Sequence, residues 1–445
     1  MGAGERKRPR VLWWPRCSDL PKDCHGRPSP DCPDAWTDAG PKRRKPARSI
    51  AALLVAYGLE FATQSAILVL AQLHIKHLGG SPSLIAMATA LTGLGLFMGS
   101  YFWGWVSDRC RRRPLMLLGL GIDCLLVATL AARLSIPVIL ALLCLRALGF
   151  SSTLTISLST VSSMGTAQNR GRLIARLSTA RAIGWIAGSL CAGIALDEVG
   201  YSYTYLILAV APFIAFMTVF LRGRSFESHG RSRPTPTGPK SLRHLADLLA
   251  ATCLRQIGLS GASSLLFAHL ALLGMTASEI GLLGALNPVF QFAGFYLLGR
   301  LADSIGRRVL LLVGFGCSVL PPLLYALARN APGLGLACAI HGASFSVMYI
   351  GTAAYIGDSV STNVHGRALG GLESARAMGA ILGPVCAGLI ASLTSYAVSF
   401  LSMAAFTAMG FLVSVLTSLR RGKASLGPDG SRTLGYENGR ERRPE

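Results

Sequence analysis

The sequence predicts an all-α membrane protein with twelve transmembrane helices in two pseudo-symmetric bundles of six. Hydrophobic residues make up 51% of the chain and charged residues only 14%, and the mean hydropathy is +0.48. A soluble domain of this composition would expose too much apolar surface. Twelve weakly charged stretches are each long enough to cross a hydrocarbon core of about 30 Å. The chain also matches itself at an offset of 195 residues.

The internal match indicates a duplicated unit. Residues 171–193 and 366–388 align without a gap and are identical at 12 of 23 positions. Two loops, 104–113 and 299–308, match at the same offset. Similarity at one fixed offset is typical of a repeated structural unit. We therefore expect the same fold in each half and a function that lies between the halves.

The predicted spans are numbered here in chain order. Spans 1 to 6 lie near 50–72, 84–105, 114–132, 136–158, 173–195 and 203–221. Spans 7 to 12 lie near 246–270, 279–298, 308–328, 333–357, 368–391 and 396–418. None shows the two-residue alternation of a membrane β-strand, and backbone groups in lipid must bond within their own segment. Helices are therefore predicted throughout.

Charge and composition divide the chain into five regions. They are a basic, disordered tail (1–48), a first bundle (49–221), a polar, proline-rich linker (222–245), a second bundle (246–420) and a second tail (421–445). Lys and Arg concentrate in the tails and in alternate loops, so we expect a multi-pass protein of the cell membrane with both termini cytoplasmic. A net charge of +22 distributed in this way favours anionic lipid headgroups over nucleic acid as the partner.

Several other function classes lack their sequence signals. The chain has no Gly-x-x-x-x-Gly-Lys-Ser/Thr motif, so no ATP site is predicted. Cys17, Cys24, His25 and Cys32 are too widely spaced to resemble a zinc site. No cluster supplies a nucleophile, a base and an oxyanion partner. We expect no enzyme activity, no cofactor and no metal, and a monomer in the bilayer.

The two repeated loops carry the same charged pattern. The first copy contains Gly104, Asp108, Arg112 and Arg113, and the second contains Gly299, Asp303, Gly306, Arg307 and Arg308. Each lies between the second and third span of its half. Together with two six-helix repeats and a basic central linker, this pattern resembles the major facilitator superfamily over residues 49–420. The first copy departs at Arg111, where the family usually has glycine.

The resemblance implies that these loops hold the two halves together in an outward-open state. Asp108 and Asp303 lie at a helix end within membrane depth, where an acid is costly unless a cation or a helix amino terminus faces it. The alternative is a static topology signal. Positive-inside charge alone would need the arginines but not the acids.

Ionisable residues inside the predicted spans are candidates for the binding site. They are Glu60 in span 1, Arg146 in span 4, Arg255 in span 7 and His341 in span 10. Each lies about ten residues from a helix end, roughly 15 Å deep. The resemblance implies that these four spans line a central cavity, where such residues bind substrate and protons. For Glu60 the alternative is a fixed ion pair with Arg146 or Arg255. Asp123 in span 3 is expected to pair locally.

A second pair of arginines, Arg181 and Arg376, lies in spans 5 and 11. Small residues follow each of them: Gly184 and Gly188 in span 5, and Gly379, Gly383 and Pro384 in span 11. This spacing predicts close helix packing and a bend at Pro384. Two roles remain open for the arginines. They form crossed contacts, Arg181 with Asp303 and Arg376 with Asp108, or they contact the substrate.

Taken with the resemblance, these residues predict a secondary active transporter that works by alternating access. Proton coupling through Glu60 is expected, because burial favours its neutral form and a nearby arginine favours its charged form. The first substrate hypothesis is export of small amphipathic compounds. The second is uptake of an anionic metabolite, since two arginines and a histidine outnumber one glutamate. A sensor or scaffold that has lost transport is the third.

Overall fold

The computed structural model describes residues 46–107, 109–164, 170–222, 246–305, 307–359 and 365–424, as helices joined by short turns. The predicted tails and linker lie almost entirely outside these residues. The helices are Pro46–His77, Pro82–Ser107, Arg112–Thr129, Ile136–Met164, Arg170–Arg222, Ala246–Leu272, Ala277–Ile305, Arg307–Cys317, Leu320–Leu327, Ala331–Ser359, His365–Leu393 and Tyr396–Ala424.

These helices provide the twelve predicted spans, and the described residues contain no strand. Gly200 breaks Arg170–Arg222 into spans 5 and 6 with φ +73° and ψ 178°, a conformation that glycine adopts without a Cβ clash. Arg307–Cys317 and Leu320–Leu327 together form span 9. Nine stretches of the described chain are long and apolar enough to cross a membrane, and they include all spans except 3 and 7. Those two carry Asp123 and Arg255.

An even number of spans places both ends of the bundle on one side of the protein. We call this side the terminal face. The opposite side, which carries the turns between spans 1 and 2, 3 and 4, 5 and 6, 7 and 8, 9 and 10, and 11 and 12, is the distal face.

Buried apolar residues show where the two halves meet. The largest cluster lies toward the distal face and contains residues of both halves, such as Leu70, Ile85 and Leu265. Toward the terminal face there are two smaller clusters. One belongs to the first half and includes Met116, and the other belongs to the second half and includes Phe315. The halves therefore share one core near the distal face and have separate cores near the terminal face.

Glycines allow close packing within each half. A Cβ at any of the four predicted packing glycines would collide with a backbone carbonyl of the facing helix: Gly184 with Gly58, Gly188 with Ala62, Gly379 with Cys253, and Gly383 with Ile257. Span 5 therefore lies directly on span 1, and span 11 on span 7. Pro384 is buried inside span 11.

Hydrogen bonds across the two halves lie near the distal face. The Asp197 carboxylate accepts bonds from the backbone nitrogens of Ala277 (3.0 Å) and Ser278 (2.7 Å) at the start of span 8. The equivalent contact is neutral: the Ser83 hydroxyl donates to the Ser392 hydroxyl at 2.8 Å. The 195-residue offset relates Ser83 to Ser278 and Asp197 to Ser392. The same junction is thus built twice, once with a charge.

Two further contacts join the halves on this side. The Gln72 amide nitrogen donates to the Ser263 carbonyl at 3.1 Å, and its amide oxygen accepts from the Phe267 backbone nitrogen at 3.1 Å. The Ser189 hydroxyl donates to the Gly281 carbonyl at 2.8 Å. These hydrogen bonds between the halves all lie in the distal part of the spans. This conformation is closed at the distal face.

Removing the charged junction should favour opening of the distal face. A carboxylate at an exposed helix amino terminus contributes up to about 1 kcal/mol, so Asp197→Ala should raise the distal-open population roughly fivefold. Spin labels on cysteines at Arg133 and Arg329, in a background without other cysteines, would report the distance between the halves.

Glu279→Gln is the matched control. Glu279 caps the same helix end, but it accepts its bond from Thr276, only three residues away, so it does not join the halves. An unchanged distance distribution in Asp197→Ala would show that this contact does not hold the distal face closed.

Candidate functional site

A buried charge cluster lies inside the first half. Nε of Arg146 is 2.8 Å from Oδ1 of Asp123, and both side chains are fully buried. Glu60, also fully buried, lies within electrostatic reach of both. The Glu60 carboxyl group lies within hydrogen-bonding reach of the Asp123 carboxyl group and forms no salt bridge among the described residues. The cluster therefore holds two carboxyl groups against one guanidinium.

Span 1 supplies a second contact to Arg146. Its Nη1 donates to the Gln64 amide oxygen at 2.8 Å. Gln64 also lines a small, partly open pocket between spans 1 and 2, together with Ile67, Leu68, Ala71, Ala88, Thr89 and Thr92. The Thr89 hydroxyl is buried without a hydrogen-bond partner among the described residues. Polar groups on this wall give water a place to bind beside the cluster.

The second half has a different set at the equivalent positions. Nε of Arg255 donates to the Ser318 hydroxyl at 2.7 Å, and the arginine is fully buried. Its two terminal nitrogens have no hydrogen-bond partner in the part of the chain that is described. His341 lies within electrostatic reach of Arg255, and its Nδ1 is 3.4 Å from the Tyr325 hydroxyl.

The structure divides the four predicted site residues into two groups. Glu60 lies with Arg146, and Arg255 lies with His341, each group inside its own half. Polar partners in the bundle stabilise a charged side chain that is buried away from water. Asp123 of span 3 is the partner of Arg146, and Ser318 of span 9 is the partner of Arg255.

Asp123 is the member that the sequence analysis did not place in the site. It pairs within its half, as expected, but its partner is the predicted site residue Arg146. No signal in the sequence points to this contact, because the residue equivalent to Asp123 at the 195-residue offset is Ser318, which is not ionisable.

Arg181 and Arg376 lie at the boundary between the halves. Arg376 pairs with Glu373, with Nη1 2.9 Å from Oε2, and its Cζ is 4.8 Å from the centre of the Phe345 ring. Arg181 has its Cζ 5.9 Å from the Phe61 ring and lies within electrostatic reach of Tyr349 in the other half. The structure thus brings the two arginines to one region.

The repeated loops are described only in part. Arg113 donates to the Phe220 carbonyl at 2.5 Å, and Arg112 donates to the Ser159 carbonyl at 3.4 Å. Asp108 and Gly306 lie outside the described residues, as do the side chains of Asp303, Arg307 and Arg308 and the surroundings of Gly299. The crossed contacts of Arg181 and Arg376 with these acids stay a prediction.

Comparisons with known proteins agree with this architecture. The model of the Major Facilitator Superfamily matches residues 53–272 and 248–436. The staphyloferrin B transporter of Staphylococcus aureus is 24% identical over 354 residues, which are 75% of this chain and 82% of the relative. The multidrug resistance protein MdtG of Proteus mirabilis is 24% identical over 319 residues, 69% of this chain and 78% of the relative.

A solved structure shows the same fold. The crystal structure of the nucleoside transporter NupG superposes with a TM-score of 0.71 at 14% identity, covering 83% of this chain and 98% of NupG. The family model matches most of the chain in two segments that overlap at residues 248–272. This protein therefore belongs to the Major Facilitator Superfamily and is a multi-pass membrane transporter.

Proposed function

We propose that the protein exports small amphipathic compounds by alternating access and that a proton moving through the Glu60 cluster drives the transport. The observation that carries the proposal is the fully buried Glu60 carboxyl group, which has no salt-bridge partner among the described residues and lies against the Asp123 carboxyl group of the Asp123–Arg146 ion pair.

The charge count of the cluster supports a proton site. When both carboxyl groups are ionised, two negative charges face one guanidinium, and one negative charge has no partner. A net charge away from water is costly in a membrane protein. One bound proton makes the cluster neutral, and water beside Gln64 provides a route for that proton. Asp123 keeps the ion pair with Arg146, so Glu60 is the group that takes up the proton.

The direction of transport rests on topology and on a relative. Basic residues concentrate on the terminal face, so this face is proposed to be cytoplasmic in the cell membrane. The conformation closed at the distal face is then inward-facing. MdtG, a relative of similar length, is a multidrug resistance protein, which favours export. We propose a monomer, since each half finds its partner within the chain.

Two other functions are tested together with this one. The staphyloferrin B transporter shows that the relatives include proteins that transport one defined small molecule. Uptake of one defined compound, an anionic metabolite, is therefore the second candidate. A sensor or scaffold without transport is the third. It predicts no exchange of any compound across the membrane in reconstituted vesicles.

Glu60→Gln should separate exchange from accumulation. The amide imitates the protonated carboxyl group, so the variant should exchange labelled substrate across vesicle membranes. It should lose accumulation driven by an imposed pH difference, because it cannot release a proton. Counterflow and pH-driven uptake would be measured in the same proteoliposomes.

Asp247→Asn is the control for this experiment. Asp247 lies exposed in the first turn of span 7 and should tolerate the same change without effect on either assay. If Glu60→Gln accumulates substrate as well as the parent protein, Glu60 is not the proton carrier.

The two buried arginines should differ sharply in their effect on stability. Arg146→Met leaves Asp123 buried without its cation and should destabilise the protein by about 3–5 kcal/mol. Arg255→Met removes a buried charge that has no anionic partner in the described chain, so the change should be within about 1 kcal/mol of neutral or stabilising. Thermal unfolding in detergent would compare the two.

A loss of stability in Arg255→Met as large as that in Arg146→Met would show that Arg255 is a structural residue. A stable Arg255→Met protein with altered transport would assign the charge to function, since the fold then has no need of it.

A further inference from the structure

Arg181 and Arg376 are surrounded by aromatic rings that belong to both halves. We call this group the arginine–aromatic wall and define it by Phe61, Arg181, Phe345, Tyr349 and Arg376. The arginine carbons are 5.9 Å (Arg181 to Phe61), 4.8 Å (Arg376 to Phe345) and 5.8 Å (Arg376 to Tyr349) from the ring centres. The wall lies on the terminal side of the apolar cluster that the halves share, in the region where each half has its own core.

The two arginines are equivalent in the repeat but differ in their partners. Glu373, three residues before Arg376, binds it with both carboxylate oxygens at 2.9 and 3.0 Å. The equivalent residue before Arg181 is Ser178, which is exposed. Among the described residues Arg181 makes its ring contact but has no acidic partner. Within the described part of the chain, the Arg181 guanidinium is thus available to an anion.

The charge of the region favours an anionic ligand. Arg255 lies behind the wall within electrostatic reach of Arg376. Among the described residues, three arginines (Arg181, Arg255 and Arg376) against the acid Glu373 leave two net positive charges. A cation would be repelled, and a neutral compound would leave Arg181 without a charged partner. A carboxylate would form charge-assisted hydrogen bonds with its planar guanidinium.

The aromatic rings around the two arginines favour a flat, aromatic ligand. Phe345 and Tyr349 are nearly parallel, with ring centres 5.9 Å apart and 19° between the planes. Phe295 meets both of them edge-on, at 6.2 and 5.9 Å. Across the boundary, Trp185 lies 5.9 Å from Phe61. Flat aromatic compounds stack on such faces or meet them edge-on, which aliphatic compounds do not do.

We propose that the arginine–aromatic wall is a binding site for aromatic monoanions, with Arg181 binding the carboxylate and the rings of the wall contacting the aromatic group. This inference rests on the proposed transport function, because it names the class of compound that the protein carries.

Binding to the purified, full-length protein would test the substrate class. The probes are 1-naphthoate, the neutral aromatic 1-naphthalenemethanol, the non-aromatic anion cyclohexanecarboxylate and the aromatic cation tetraphenylphosphonium. We expect 1-naphthoate to bind at least about tenfold more tightly than the alcohol and the cation, since one charge-assisted bond is worth about that factor. It should also bind more tightly than cyclohexanecarboxylate, which has the charge but lacks the ring contacts. Equal binding of naphthoate and naphthalenemethanol would overturn the proposal.

Two variants locate the anion site at Arg181. Arg181→Gln should weaken naphthoate binding about tenfold or more, and Arg181→Lys should restore part of the loss. Ser178→Glu copies the arrangement of Glu373 and Arg376 into span 5. It should weaken naphthoate binding while Arg181 remains, because the guanidinium then has an internal partner. Ser178→Gln is the matched control and should bind as the parent does.

Other outcomes have a defined meaning. If Arg181→Gln binds naphthoate normally but changes the distance between the halves, Arg181 holds the halves together, and the proposal is wrong.

A transport assay in proteoliposomes distinguishes failure of this inference from failure of the proposed transport. Movement of the neutral or cationic probe without naphthoate binding keeps transport and rejects the anion site. Naphthoate binding at Arg181 without movement of any probe keeps the site and rejects transport.

Discussion

The Asp123–Arg146 ion pair is the interaction on which the organisation of the first half depends. In a bundle that excludes water, an anion stabilises a guanidinium, and the 2.8 Å contact ties span 4 to span 3. With Arg146 paired to Asp123, the nearby carboxyl group of Glu60 has no salt-bridge partner among the described residues. The constraint that stabilises the bundle therefore sets apart the residue that we propose to take up a proton.

The two halves share a fold because one unit is duplicated, and their chemistry differs through substitutions at a few equivalent positions. At three pairs of equivalent positions one half has an acid and the other a serine: Asp123 and Ser318, Asp197 and Ser392, and Glu373 and Ser178. In each pair the serine keeps a small polar group, so the helix packing is retained and only the charge changes. The buried cluster, the distal junction and the arginine–aromatic wall each obtain their asymmetry in this way.

Sequence reasoning reached the architecture because span length and hydropathy follow directly from the thickness of a membrane. The repeat likewise identified the packing glycines, whose carbonyl contacts recur in both halves. The partners of the charged residues were harder to predict. Asp123 was expected to pair locally, yet no pattern of spacing shows that span 3 turns it toward Arg146. That depends on the rotation of three packed helices, which side-chain packing determines. Asp197 gave no signal either, because its ligands are the backbone nitrogens of another span.

The distal face also constrains how the protein changes state. Alternating access requires two conformations within a few kcal/mol of each other, and a conformation held by strong contacts on one side cannot interconvert unless the other side offers replacements. The distal closure consists of a shared apolar cluster and a few hydrogen bonds, of which the Asp197 junction carries a charge. Opening this face exposes apolar surface, and new contacts elsewhere must offset that cost. The terminal face holds the repeated acid and arginine loops and the separate cores of the halves, so we propose that closure there supplies those contacts.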